Sequence, residues 1–443
     1  MRTLPKRLSE ARTAAGGTGQ VTPLPAVPKE AVQQPVTTVT GQDWPGRELL
    51  DSPQLARVLL SVWSGQGCTI VPAAPGAGKS RLVSLLAAAL AHRVGLRVAV
   101  AAQTREQAAE LARRITAISD RAALIVRAGR RVPAVEGVRA VSGLSVRWQR
   151  STGGEILVGT AARWLYVDPS LASADVVLVD EAWQGTYADL GALGALARQV
   201  VCVGDPGQVA PVVTGSTQRW EGQPSGPHQP APAALLAAHG EALSVHQLDS
   251  SWRLGPQTCA LLSQHFYGQM PFTSRRPDEA VIAPDGTVLP EILSRPTQAG
   301  NGPTDTALLA ALAGRARELT WHRYRRAGKC EALTAHDIAV VVPHVAQAGA
   351  VRAMLADLPD ILVGTVNGLQ GLERPAVVAL HPLAGYRSAE SFALDAGRMC
   401  VTLSRHRAHL TILTDPATAP LLDAAANNGD IEADQARAVL AAL

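Results

Sequence analysis

Residues 68–90 read CTIVPAAPGAGKSRLVSLLAAAL. The stretch begins with a short apolar run, turns through Gly76 and Gly78, and continues with apolar residues at helical spacing. This pattern predicts a strand, a glycine-rich turn and a helix, in that order. Such a turn lets backbone N–H groups point inward at a helix N-terminus, which already favours anions. The stretch therefore predicts a phosphate-binding loop at the end of a buried strand.

Short apolar runs and helical segments alternate around this loop and again in the second half of the chain. The pattern predicts strands at 68–71, 97–102, 156–159, 176–180 and 200–204, with helices at 80–92 and 105–115. It then predicts a strand at 338–342, a helix at about 345–358, and strands near Ile361, Val377 and Leu410. Alternation of this kind is typical of parallel sheets covered by helices on both faces. The predicted fold class is α/β.

The composition excludes several classes of protein. The chain has 443 residues, of which 47% are apolar and 18% charged, so it can build two or three packed domains and is not a disordered scaffold. We find no uncharged apolar run of about 18 residues and no secretion signal, and we expect no membrane segment. The five cysteines stand far apart, which favours a reducing cytoplasm over a disulfide framework.

Two groups of residues are candidates for nucleotide chemistry. Lysine is rare in this chain, yet Lys79 follows the glycine-rich turn, where it would contact the β and γ phosphates of a nucleotide, and Ser80 would bind Mg²⁺. Residues 176–182 read VVLVDEA, a strand that ends in two carboxylates. Asp180 would hold Mg²⁺ through water, and Glu181 would polarise the attacking water.

The order of further motifs resembles the superfamily 1 helicases. DEAWQ at 180–184 resembles their DEAxQ box, and GDPGQVAP at 204–211 is similar to their third motif. SWRL at 251–254, with FYG at 266–268 after it, stands where the family has an arginine motif. VVPHVAQ at 341–347, GTVNGLQGLE at 364–373 and RMCVTLSRHR at 398–407 are similar to its later motifs. The match spans about 50–415, and the DEAxQ box resembles the UPF-like branch.

The resemblance implies two tandem RecA-like domains with ATP and Mg²⁺ in the cleft between them. The nucleotide would be held by the loop residues Pro75, Gly76, Ala77, Gly78, Lys79 and Ser80. Asp180, Glu181 and Gln208 would act from the first domain, and Arg253, Arg405 and Glu373 from the second. Gln54 matches the glutamine that reads adenine in this family, although a polar residue on a helix face is the alternative interpretation.

The motifs also predict the domain organisation. Residues 1–45 are rich in proline and read as a flexible arm. The first domain would span 46–245 with a short basic insertion at about 116–150, and the second would span 246–420. Residues 421–443 would form a helical tail.

The candidates for nucleic-acid contact rest on weaker patterns. By resemblance they are Gln103, Thr104, Thr160 and Thr365. Residues 121–150 contain seven arginines and one acid, and Arg147 and Trp148 in this segment suit phosphate contact and base stacking. A solvated arginine-rich loop is the alternative. For residues 321–326, WHRYRR, the sequence favours the basic tip of a structural helix.

The sequence thus indicates an ATP-dependent helicase or translocase that acts on single-stranded nucleic acid. DNA is preferred over RNA, and the resemblance implies 5′ to 3′ movement. An ATPase switch that is regulated by nucleic acid or protein and does not unwind duplexes is the second hypothesis. A small-molecule kinase is disfavoured, because it needs no second sheet domain with paired arginines. We expect a monomer and leave room for a protein that loads or regulates it.

Overall fold

A computed structural model describes residues 44–126, 135–143, 146–150, 153–297, 301–369, 371–389 and 391–443. Residues 44–443 form one compact unit. The predicted arm at 1–45 lies outside the described residues except for its last two. Of these, Trp44 already packs against the first core, and the Arg93 guanidinium lies over its ring.

Eight parallel strands form the first sheet in the order β4-β3-β5-β2-β6-β7-β1-β8. They are β1 (Cys68–Pro72), β2 (Arg97–Ala102), β3 (Ala122–Val126), β4 (Arg139–Ser142), β5 (Glu155–Thr160), β6 (Ala174–Val179), β7 (Ala197–Gly204) and β8 (Ser244–Val245).

Alternate residues along these strands enter two different cores. Val98 and Val100 of β2 pack in one core with helices from the N-terminal part, whereas Ala99 and Ala101 pack in the other core with Trp164. The helices of this half are α1 (Pro53–Trp63), α2 (Lys79–Ala89), α3 (Arg105–Thr116), α4 (Ala161–Trp164), α5 (Pro169–Ala172), α6 (Tyr187–Gly194) and α7 (Ala231–His239). The apolar runs of the sequence are therefore continuous because both faces of the sheet are buried.

Three further sheets follow in the chain. They contain β9 (Ser250–Ser251) with β10 (Thr273–Ser274); β11 (Glu279–Ile282), β13 (Arg323–Arg326) and β14 (Lys329–Ala332); and β12 (Ile292–Pro296), β15 (Ile338–Val342), β16 (Leu362–Thr365), β17 (Arg374–Leu380) and β18 (His406–Thr414). The last of these is a parallel sheet in the order β12-β18-β17-β15-β16. The fold is thus two tandem RecA-like α/β sheets, which confirms the predicted fold class.

The second parallel sheet is also buried on both faces. Its helices are α8 (Pro256–Phe266), α9 (Thr306–Leu319), α10 (Val345–Met354), α11 (Ser391–Leu394), α12 (Ala396–Leu403), α13 (Thr418–Asn427) and α14 (Ile431–Ala442). Val340 and Val378 face the core that contains α9 and α10, whereas Val341 and Val377 face the core that contains α8 and α12. None of the helices in the described ranges is long and apolar enough to cross a membrane.

Two sequence predictions differ from the structure. The segment assigned to a basic insertion, about 116–150, contains β3 and β4, because the run at Ala122–Val126 is apolar enough to be buried and extends the first sheet. The basic run at 321–326 does not continue a helix: α9 ends at Leu319, and Arg323–Arg326 pairs antiparallel with β11 and β14.

The buried indole of Trp164 provides a test of the first core. Its side chain is 1% exposed, and its N–H donates to the Val100 carbonyl at 2.9 Å. Trp164→Ala should lower the free energy of unfolding by about 3–5 kcal/mol, because it leaves a large cavity. Urea denaturation followed by circular dichroism measures this, and Trp321→Ala is the control, because Trp321 is 69% exposed. Equal losses in the two variants would contradict the described packing.

A buried histidine gives the fold a pH dependence. Burial lowers the pKa of His381 to about 4, and its Nδ1 accepts a hydrogen bond from the Leu383 amide at 3.2 Å. Below pH 6.5 the unfolded chain takes up a proton that the folded chain refuses, so the free energy of unfolding should fall as pH falls from 6.5 to about 4. His381→Asn should remove a contribution of about 3 kcal/mol to that fall. Denaturation at pH 7 and pH 4.5 measures it; an unchanged pH profile would refute the assignment.

Candidate active site

The phosphate-binding loop lies between β1 and α2, where the sequence predicted it. The backbone is left-handed at Gly76 (φ 76°) and Gly78 (φ 86°), and α2 begins at Lys79. Glycine adopts this backbone without strain. The loop thus curls at the carboxyl edge of the first sheet and presents a helix N-terminus to the cleft.

A segment of the second half of the chain packs directly on this loop. A Cβ atom on Gly76 would lie 2.5 Å from the Arg253 Cβ and 2.7 Å from the Ser251 hydroxyl oxygen. The Ser251 hydroxyl donates to the Pro75 carbonyl at 2.8 Å, and the Trp252 amide donates to the Gly76 carbonyl at 2.9 Å. Position 76 therefore needs glycine for the close approach as well as for its backbone angle.

Lys79 is buried at the base of the loop. Its ammonium donates to the Asp205 carboxylate at 3.2 Å and lies 3.5 and 3.4 Å from the carbonyls of Ala73 and Ala74. Both side chains of this ion pair are nearly inaccessible to solvent. The positive charge that the sequence assigned to nucleotide phosphates is therefore balanced by a carboxylate from the end of β7.

The two carboxylates after β6 occupy different environments. Asp180 is buried, and one of its oxygens accepts a hydrogen bond from the Ser80 hydroxyl at 3.2 Å. Burial, and then the charge of Glu181, raises the pKa of Asp180 to about 7, against the opposing effect of Lys79. Glu181 has a left-handed backbone (φ 52°), which is costly for a residue with a Cβ and is typical of functional sites.

Asp180 and Ser80 fit a magnesium ion. The second carboxylate oxygen of Asp180, Oδ1, is buried and has no hydrogen-bond partner among the described residues. No three His, Cys, Asp or Glu side chains form a metal-binding group in the described part of the chain. Mg²⁺ bound beside a nucleotide requires only one or two protein ligands, because water and phosphate oxygens complete its shell.

The second half of the chain contributes a network of arginines. Glu373 forms ion pairs with Arg253 and, at 2.8 Å, with Arg407. Burial would raise the pKa of Glu373, but the two guanidinium groups outweigh it and lower the pKa. Arg407 also forms an ion pair with the buried Glu279 at 2.6 Å. The hydrogen bonds that Arg407 donates to Glu279 raise the pKa of Arg407.

Arg405 is held mainly by backbone carbonyls. It is 2% exposed and donates to the Val401 carbonyl at 3.0 Å and to the Leu372 carbonyl at 3.4 Å. Burial, assisted by the charge of Arg253, lowers the pKa of Arg405 to about 10. None of the described carboxylates forms an ion pair with Arg405, and a buried cation of this kind favours an incoming anion.

These groups surround one cavity of about 450 Å³. It is lined by Gly76, Ala77, Gly78, Lys79, Ser80, Arg81, Arg114, Glu181, Gln208, Trp252, Arg253, Gly371, Leu372, Glu373, Arg374, Arg405 and Arg407. The structure thus brings together most of the predicted nucleotide-site residues from both halves. Asp180 lies behind Ser80, and Pro75 contacts Ser251 instead of lining the cavity.

Gln54 does not line this cavity. It lies in the first turn of α1 and is half-buried. The aromatic residue that does line the cavity is Trp252, which is 59% exposed. The placement favours the helix-face interpretation of Gln54.

The candidates for nucleic-acid contact are not gathered at one place by the contacts of the structure. Thr104 caps α3, Thr160 caps α4, and Thr365 accepts a hydrogen bond from the Gly368 amide. Gln103 donates to the carbonyls of Asp180 and Glu181 at 3.5 and 3.3 Å. Of these four nucleic-acid candidates, Gln103 is the one that hydrogen-bonds the backbone of the candidate catalytic carboxylates.

The arginine-rich segment is only partly within the described ranges. Residues 127–134, 144–145 and 151–152 lie outside them. Arg147 is exposed, whereas Trp148 is half-buried and its indole N–H donates to the Ser173 carbonyl at 2.8 Å. This hydrogen bond and its packing against the first sheet give Trp148 a structural role.

Several residues of the site were not predicted as site residues. Arg407 and Trp252 lie within quoted motifs, beside Arg405 and Arg253, and their position in those motifs was the available signal. Arg374 lines the cavity, and its Nε has no hydrogen-bond partner within the described ranges. Arg81 and Arg114 line the cavity from α2 and α3 and carried no distinguishing pattern.

Comparisons with known proteins agree with this architecture. A family model described as an AAA domain matches residues 50–221, and a second model with the same description matches residues 317–417. A probable helicase of Dictyostelium discoideum is 25% identical over 266 residues, which cover 54% of this chain. The chain spans about a quarter (24%) of the length of that relative.

Three solved helicase structures are similar to the chain at low sequence identity. The PRRSV helicase is 15% identical, with 81% of this chain and 55% of that chain covered and a TM-score of 0.43. Arterivirus nonstructural protein 10 (helicase) is 14% identical, with 80% and 61% covered and a TM-score of 0.44. Its complex with DNA is 15% identical, with 80% and 62% covered and a TM-score of 0.44.

The fold and the loop define a P-loop protein with two RecA-like sheets around one nucleotide-sized cleft. The chain thus combines two matches to AAA-domain models with motifs that resemble those of the superfamily 1 helicases.

Substitution of Gly76 tests the close contact between the two halves. Gly76→Ala should abolish binding of an ATP analogue, because its methyl group would collide with Arg253. Gly65→Ala is the control: Gly65 is also left-handed (φ 85°), but its Cβ would meet nothing within 4 Å. The control should lose only about 1–2 kcal/mol of stability from backbone strain and keep nucleotide binding. Calorimetric titration measures both variants; full binding by Gly76→Ala would contradict the contact.

Proposed function

We propose that the chain is an ATP-dependent helicase or translocase that acts on single-stranded nucleic acid. The observation that carries the proposal is the 450 Å³ cavity, which is lined by the phosphate loop on one side and by Arg253, Arg405 and Arg407 on the other. Cations on both sides of a bound triphosphate stabilise the charge that develops on its γ phosphate. Hydrolysis would therefore depend on the approach of the two halves.

Each residue of the first half has a distinct proposed role. Lys79 would bind the β and γ phosphates, and Gln208 would contact the γ phosphate. Glu181 would accept a proton from the attacking water, from its position on the cavity wall. Ser80 and Asp180 would hold Mg²⁺, which when bound shields the phosphate oxygens and polarises the γ-phosphoryl group.

The arginines of the second half would respond to the nucleotide. Arg253 is paired with Glu373 in this structure, so a γ phosphate competes with that carboxylate for its guanidinium. Within the described ranges, Arg405 has carbonyl and hydroxyl partners, and it would gain a full ionic contact from a phosphate. The exposed face of Trp252 provides a surface on which a base can stack.

The nucleic-acid track is proposed from the contacts of Gln103 and from the family resemblance. The Gln103 amide donates to the backbone carbonyls of Asp180 and Glu181, so a nucleic-acid strand bound at the end of β2 would affect the catalytic carboxylates. The DEAxQ box supports movement from 5′ to 3′, and DNA is the proposed track of a cytoplasmic protein. The proposed protein is a cytoplasmic monomer that a protein partner loads or regulates. The five free cysteines support a reducing compartment.

A second candidate function is an ATPase switch that does not unwind duplexes. It is favoured by one observation: in the described part of the segment 116–150, the chain adds strands to the first sheet and no separate accessory domain. Strand separation requires an element that divides the two strands, whereas a switch needs only the cleft.

Steady-state ATP hydrolysis tests the proposal. Single-stranded DNA should stimulate the rate more than RNA does, and Lys79→Ala should reduce it by at least about 100-fold, because the phosphates lose their principal cation. Lys329→Ala is the matched control, since Lys329 is exposed on β14. A rate that neither polymer changes would reject the translocase.

Duplex unwinding separates the two candidate functions. A translocase should displace the shorter strand of a duplex that carries a 5′ single-stranded tail, and it should fail on a 3′ tail. Stimulated hydrolysis without displacement of either substrate would favour the switch.

A further inference from the structure

Asp205 is a meeting point of the two halves of the protein. Its carboxylate is 1% exposed and has four hydrogen-bond donors. One oxygen accepts from Lys79 at 3.2 Å and from Gln208 at 2.6 Å, and the other accepts from the Tyr267 hydroxyl at 2.5 Å and from the Gly207 amide at 3.1 Å. Three of these donors belong to the first half, and only Tyr267 comes from the second.

Tyr267 is tightly fitted against this carboxylate. It follows α8 and is 3% exposed, and a Cβ on Gly207 would lie 2.4 Å from its ring. The absence of a side chain at position 207 is what allows the ring to reach Asp205. The Tyr267 oxygen also lies 3.4 Å from the Cys400 sulfur on α12, the helix that leads to Arg405.

The hydroxyl of Tyr267 has a defined proton arrangement. The Asp205 carboxylate can only accept, so the Tyr267 O–H donates to it, and the Cys400 S–H can donate to the Tyr267 oxygen. Burial and the neighbouring Asp205 charge raise the pKa of Tyr267, which keeps the hydroxyl protonated. A chain of donors thus runs from α12 through Tyr267 to the first half of the protein.

Two of the four donors to Asp205, Lys79 and Gln208, are the side chains that the proposed function assigns to the nucleotide phosphates. If Lys79 and Gln208 turn to the phosphates, Asp205 stays buried and loses the charge that balances it. A buried carboxylate without sufficient donors is costly, and hydrogen bonds to a charged group are the strong ones. The donors that remain are the Gly207 amide and the Tyr267 hydroxyl.

We propose that Tyr267 is a positioning residue that stabilises Asp205 when nucleotide takes Lys79 away, and so links nucleotide binding to the contact between the two halves. The inference rests on the proposed function, in which Lys79 binds phosphate. The bond between Tyr267 and Asp205 matters more in the nucleotide-bound protein than in the free protein. Occupancy of the cleft therefore strengthens a bond across the cleft.

The test is the affinity for a non-hydrolysable ATP analogue, measured by calorimetry on the full chain. Tyr267→Phe keeps the ring and removes only the hydroxyl, and it should weaken binding by about tenfold, because the lost bond is made to a charged group. Tyr386→Phe is the matched control: its hydroxyl bonds His344, away from the cavity lining, and its binding should equal wild type.

A second background separates positioning from packing. In Asp205→Asn there is no buried charge to leave behind, so adding Tyr267→Phe should change the affinity by less than about twofold. Thermal unfolding of each variant checks that it is folded. A tenfold loss that persists in the Asp205→Asn background would overturn the proposal, and so would wild-type affinity in Tyr267→Phe alone.

The same experiment distinguishes failure of the proposed function. If the wild-type protein binds no ATP analogue, the nucleotide site itself is refuted and the inference falls with it. If the wild-type protein binds and Tyr267→Phe binds equally well, only the role of Tyr267 is refuted.

Discussion

The site depends on one constraint: the carboxyl edge of the first sheet must face the strand starts of the second. The phosphate loop, Asp180 and Asp205 all follow the last residue of a strand, whereas Glu373 and Arg405 immediately precede β17 and β18. Ligand sites of open parallel sheets lie outside the carboxyl ends of the strands. The second sheet closes this crevice with the residues at which its own strands begin.

Carboxylates balance several of the cations in the cleft. Asp205 balances the charge of Lys79, and Glu373 together with Glu279 balances Arg253 and Arg407. In the described part of the chain, Arg405 has neutral partners. An anion that binds Lys79 or Arg253 must therefore compete with a carboxylate, whereas at Arg405 it competes with carbonyl and hydroxyl groups. A ligand with several negative charges is therefore favoured over a singly charged one, because it can replace several of these ion pairs at once.

Much of the fold could be predicted from local pattern, because strands buried on both faces are short apolar runs and the loop has a fixed chemistry. β1, β2, β15 and α2 begin within a residue of their predicted positions. The strand at Arg323–Arg326 could not be predicted, because its arginines show no apolar alternation and its inward residue, Tyr324, is held by a hydrogen bond to Glu279. The strand propensity of these residues does not indicate that tertiary contact.

The site was predicted less completely than the fold, since motif matching assigns roles but not partners. Lys79 and Asp205 are 126 positions apart, and their contact depends on β1 and β7 being neighbours in the sheet. Trp148 lies in a basic segment whose composition suits base stacking. Its indole N–H donates instead to the Ser173 carbonyl, a contact that the sequence pattern does not indicate. Trp252 lines the cavity and Gln54 does not, and this placement likewise depends on packing that motif matching does not give.

The close contact of the two halves also has a thermodynamic consequence. Ser251 bonds the Pro75 carbonyl and Tyr267 bonds Asp205, so neither sheet can unfold without exposing buried groups of the other. The halves should therefore melt in one cooperative transition, although each has its own cores. A ligand in the cleft raises the melting temperature of the entire unit by mass action, and even a probe far from the cleft, on α14, reports its occupancy.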